Sequence, residues 1–117
     1  MNAHFLQYLG AALALLVGFT GLLKPLKMES LLGLKAVTTV GLIEIRVLFG
    51  SFLVALPIVA MILGQAEYFV FYGAAALAAG LVKTVFTIID KCPWSDIAFG
   101  IATDYVLALL LMTSLYL

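Results

Sequence analysis

Apolar residues fall along this chain in four long runs, separated by short clusters of polar and turn-forming residues. The first run extends from Phe5 to Leu23 and stops at Lys24-Pro25-Leu26-Lys27. The second extends from Gly41 to Leu63 and closes on Gly64-Gln65-Ala66-Glu67. The third covers Tyr68 to Ile89, and the fourth Ile97 to Leu117, with Asp90-Lys91-Cys92-Pro93-Trp94-Ser95-Asp96 between them. A helix needs about 20 apolar residues to cross the hydrocarbon core of a bilayer. Each run therefore predicts one transmembrane helix, and four spans with their turns use the whole length. The expected architecture is an all-α membrane protein, a four-transmembrane-helix bundle forming a single domain over residues 1–117.

The polar interruptions refine this outline. Pro25 ends the first helix or begins the next turn, because proline lacks the N–H that would continue it. The stretch from Leu31 to Val40 is broken by Gly33, Lys35, Thr38 and Thr39; it predicts an interfacial turn or short helix feeding the second span. Pro57 lies inside the second span and predicts a kink there. Ser95 or Asp96 is placed to cap the fourth helix. The first run is read as a span rather than a signal peptide. No basic residue precedes it, it exceeds an ordinary h-region, and no small-residue cleavage site leads into polar sequence.

Composition places lipid around these helices. The 117 residues are 66% hydrophobic and 10% charged, whereas soluble domains carry about 25% charge. A small soluble domain has too little interior to hide that much apolar surface. Membrane lipids are thus the first expected partner. Six basic and six acidic residues cancel, so nothing points to nucleic acid. With Cys92 and His4 as the sole cysteine and histidine, an intrachain disulfide, a His-clustered metal site and a haem ligated by two histidines of this chain are excluded. The metal assignment is none, and no cofactor is named by the residues.

The basic residues also predict an orientation. Lys24, Lys27, Lys35 and Arg46 lie between the first two spans or at that end of the second, and Lys83 and Lys91 lie at or near the third connection. All six fall on one side, which the positive-inside rule assigns to the cytoplasm. Both termini are then non-cytoplasmic. Tyr8, Tyr68, Tyr72 and Tyr116 fall at the opposite helix ends, where aromatic rings favour the headgroup level, and Trp94 marks the cytoplasmic interface.

Two kinds of residue stand out inside the spans. Small residues recur at Gly10, Ala14 and Gly18, and the third span carries Ala74-Ala75-Ala76 and Ala78-Ala79-Gly80. Small side chains let membrane helices approach closely, so Gly10, Ala14, Gly18, Gly50, Ala76 and Gly80 are expected packing positions. The others are charges, which are costly in lipid. Lys83 and Asp104 lie on consecutive antiparallel helices, and the midpoint of the two positions falls between Pro93 and Trp94. They should share a depth of roughly 10 Å at 1.5 Å per residue. An ion pair across the hairpin follows, and Arg46 and Glu44 are placed to join it. One reading of this ionic cluster is a clamp that sets helix register; the other is a polar pocket for a ligand headgroup, or an ion path. The clamp is preferred, since paired charges need no ligand to explain them. Cys92 reads as a reduced thiol at a loop edge.

Two stretches carry a resemblance. Glu44-Ile45-Arg46-Val47-Leu48-Phe49-Gly50-Ser51, and Lys83 through Asp90 followed by Asp104, resemble the small four-helix bacterial membrane proteins of the domain-of-unknown-function family 4345, similar in layout to DoxX-like proteins. The resemblance implies four spans and a bacterial inner membrane, and it marks Arg46, Gly50, Asp90 and Asp104, with Lys83 in place of an arginine. Phe49, Ser51, Phe86 and Lys91 depart from the family's pattern. It implies no activity.

The expected function is that of a non-enzymatic accessory or assembly subunit of a larger membrane complex, or a homo-oligomer. The alternative is a small transporter or a lipid- or small-molecule-binding protein using the Arg46, Lys83 and Asp104 region. Enzyme chemistry is disfavoured, because a second cysteine and embedded His and Glu pairs are lacking.

Overall fold

The computed structural model describes residues 3–27, 35 and 37–117, so most of the expected interfacial stretch before the second span lies outside the described residues. Four helices cross the molecule: α1 (Ala3–Leu23), α2 (Thr39–Leu63), α3 (Ala66–Ile89) and α4 (Trp94–Leu111). No strand occurs among the described residues. Each helix is long and apolar enough to cross a membrane. The long axis of 41 Å matches the about 40–45 Å of a bilayer with its headgroups.

Neighbouring helices are antiparallel, and hydrogen bonds at one end of the bundle show it. The Tyr8 hydroxyl, at the start of α1, donates to the Met61 carbonyl at the end of α2 (3.1 Å). Gln7, also at the start of α1, donates to the Leu111 carbonyl at the end of α4 and to Ser114, each at 3.1 Å. The core below them is built from Ala11, Ala14, Ala60, Phe69, Leu107 and Leu111. Outside, Leu16, Leu23, Ile62 and Phe71 are all more than two-thirds exposed. In water that surface would drive association; in lipid it is the ordinary exterior of a span.

The helix ends differ from expectation in instructive ways. Gly64 takes φ 72° and closes α2, a left-handed conformation that favours glycine. The fourth helix begins at Trp94, with Pro93 as its cap residue, rather than at Ile97 behind a Ser95 or Asp96 cap. Proline sits well at a helix start because its fixed φ fits and no donor is wasted; Asp96 instead lies in the first turn, where its charge suits the helix dipole. The helix ends at Leu111, and Thr113–Leu115 form a separate tight turn. Tyr68 and Tyr116 are exposed at the expected end, but Tyr72 is buried and does not belong to an aromatic belt.

The burial of Tyr72 traces to Pro57. Within α2, residues Ser51–Ala55 form a π-helical segment, and the Leu56 N–H bonds the Ser51 carbonyl five residues back. The next bond in that register would join position 57 to the Phe52 carbonyl, and Pro57 has no N–H to make it. The Tyr72 hydroxyl of α3 donates to that Phe52 carbonyl instead. An orphan carbonyl inside a membrane must find a donor within the protein. Tyr72→Phe should therefore destabilise by about 1–3 kcal/mol, the cost of an unsatisfied buried group. The same change should cost clearly less in a Pro57→Ala background, where the backbone can supply the donor. Thermal unfolding of the four proteins in one detergent measures this cycle; equal costs in both backgrounds would refute the link.

Candidate functional site

The α3–α4 hairpin is closely packed. Gly80 makes this feasible: a Cβ there would lie 3.1 Å from the Tyr105 ring and 3.3 Å from the Asp104 Cβ. Thr84, one turn on, donates to the Gly80 carbonyl at 2.8 Å and also meets the Tyr105 hydroxyl at 2.7 Å. The threonine proton is already committed, so the tyrosine donates in the second contact.

Lys83 and Asp104 meet across this hairpin, with Nζ 2.7 Å from Oδ2. The two residues are not symmetric about the loop, however: α3 ends at Ile89 and α4 begins at Trp94, which centres the loop between Lys91 and Cys92. Asp104 lies level with Gly80, nearly one turn deeper than Lys83. The lysine Cα is six residues from the end of α3, about 9 Å from the connecting loop, and its side chain could have run outward to the headgroups. Its Cα–Cβ bond leans towards the helix N-terminus, which here means towards the membrane interior, and the ammonium goes to the carboxylate. Asp104 Oδ2 is sealed from solvent, with the Lys83 ammonium beside it. The Lys83 side chain is 36% exposed, the Asp104 side chain 16%.

Arg46 and Glu44 do not join this pair. They lie exposed on α2, flanking Ile45, which is buried against α1. Only α1 covers the first half of α2, so residues on either side of the buried stripe face outward. Their positions near the start of the span let both charges reach the headgroup level. Of the four residues expected in an ionic cluster, the structure brings two together.

That same divergence of α2 opens a cleft of about 410 Å³ between its first half and the α3–α4 hairpin. Phe49, Phe52 and Leu53 form the α2 wall, with Val17 of α1 beside them. Ala75, Ala76 and Ala79 on α3 and Gly100 on α4 make the facing wall low. Lys83, Asp104 and Thr103 give it its polar edge. Small-molecule sites commonly enclose about 300–1,000 Å³, mostly apolar with a few polar groups.

The expected packing residues divide by neighbour. A Cβ on Gly10 would lie 2.9 Å from Leu110 Cβ of α4, and one on Gly18 only 2.6 Å from the Leu53 carbonyl oxygen of α2. Ala14 is fully buried between them. Gly50 is looser, its Cβ position 3.5 Å from Leu22. Ala76 is half-buried at the cleft, while Ala74 and Ala78 face outward. Sequence reasoning missed Gly21, which seats the Phe49 ring, and Gln7 and Tyr72. The last had a readable signal: an intramembrane proline frees a backbone carbonyl that a side-chain donor can satisfy.

No family model, curated protein or solved structure matches this chain. Fold and site together define a class: a small multi-pass membrane protein with four apolar helices and a side-opening cleft edged by one ion pair.

Proposed function

We propose that the protein binds a small apolar or amphipathic molecule in the cleft between α2 and the α3–α4 hairpin, as a non-enzymatic carrier or transporter component. One observation carries this reading: a cleft of about 410 Å³ has a lysine–aspartate pair on its wall, in a region where a bare charge is expensive. A clamp alone needs the pair but not the space beside it. An accessory subunit, the first expectation from sequence, leaves the cleft without a role. Purification in mild detergent followed by mass spectrometry of what accompanies the chain tests the proposal. A stoichiometric lipid or small molecule is the expected result. Stoichiometric large protein partners, with no small molecule retained, would favour the accessory subunit.

The resemblance to family 4345 supports a bacterial inner-membrane location as part of the same reading. The distribution of Lys and Arg supports termini on the non-cytoplasmic side. A C-terminal alkaline phosphatase fusion should be active and a C-terminal green fluorescent protein fusion dark. The reverse pattern would invert the topology.

A further inference from the structure

We infer that the cleft is selective for a neutral amphiphile whose polar end carries a hydrogen-bond acceptor, such as a ketone or ester carbonyl. This rests on the cleft being the binding site. Three observations on the pair narrow the chemistry. First, Lys83 and Asp104 compensate each other's charge. An anionic headgroup would bring a negative charge with no counterpart into the membrane interior, and a cationic one would do the same with the opposite sign. Both are disfavoured where charge is poorly solvated. Second, an ammonium has three N–H donors, and the contact with Asp104 Oδ2 occupies one of them at most. Donors of Lys83 are thus left for a ligand while the ion pair persists. Third, access is unequal. Asp104 Oδ2 is sealed, whereas the Lys83 side chain is 36% exposed and lines the cleft. The more accessible of the two charged groups is thus the donor. The apolar remainder of the ligand lies along Phe49, Phe52 and the alanines of α3, and its carbonyl accepts from Lys83 Nζ.

The test uses the full chain in phosphatidylcholine nanodiscs and three probes of equal chain length: dodecane, dodecan-2-one and dodecyl phosphate. Saturable binding is measured above partition into protein-free nanodiscs. Dodecan-2-one should bind about tenfold more tightly than dodecane, the worth of a hydrogen bond from a charged donor. Ala79→Phe, which fills the cleft, should abolish saturable binding. The double change Lys83→Met with Asp104→Leu keeps the cleft apolar and removes the donor, so the ketone should fall to the level of dodecane. Equal binding of ketone and alkane, or tightest binding of the phosphate, overturns the selectivity while leaving the cleft as the site. Absence of saturable binding for all three overturns the cleft itself, and with it the proposed function.

Discussion

Gly18→Ala is expected to destabilise the bundle strongly. The new Cβ would lie 2.6 Å from the Leu53 oxygen and 2.7 Å from the Leu53 carbonyl carbon. Those are backbone atoms of the π-helical segment and cannot rotate aside. Inserting a methylene where side chains can yield costs about 1–3 kcal/mol, and a contact with backbone belongs at the upper end or above it. Gly18→Leu should prevent α1 and α2 from packing. Gly50→Ala is the control, since its Cβ meets Leu22 at an ordinary 3.5 Å. It should be neutral or stabilising by about 0.5–1 kcal/mol, the gain in helix propensity. Thermal unfolding in a single detergent reads all three. A Gly18→Ala protein that melts with the wild type would show that α1 and α2 do not meet at Leu53.

Breaking the Lys83–Asp104 pair from one side is expected to cost more than removing both partners. Lys83→Met leaves a carboxylate with its Oδ2 sealed from solvent, and Asp104→Asn leaves an ammonium directed into the membrane interior. A lone charge at mid-membrane costs about 2.5–3.5 kcal/mol on insertion scales, and these positions lie somewhat nearer the interface, so about 2 kcal/mol is expected for each. The double change should cost less than either, because no charge is left without its partner. The cycle also decides the role of Arg46. The structure places Arg46 exposed on α2, so Arg46→Met should change stability by about 0.5 kcal/mol or less and show no coupling to Asp104. Coupling between Arg46 and Asp104, without coupling to Lys83, would place the first half of α2 against the hairpin and close the cleft.

These expectations divide according to what a linear reading can reach. Four runs of about 20 apolar residues determine four spans without reference to packing, because lipid demands that length and that composition. Gly64 and Pro93 likewise mark turns through backbone conformation alone, and the Lys83–Asp104 pair was legible because a short connection forces two consecutive helices to lie antiparallel. The partner of each small residue was not legible: Gly10 meets α4, Gly18 meets α2 and Ala74 is exposed, although all three read alike in sequence. Arg46 belonged to the expected cluster because its depth is right, but depth along a helix does not fix which face is covered. That is settled by rotation and tilt, which arise from how side chains such as Phe49 on Gly21 interlock. The cleft has the same origin. Its alanines and its ion pair are visible in the chain, while the empty space between them exists only because the first half of α2 packs on α1 and leaves the α3–α4 hairpin uncovered.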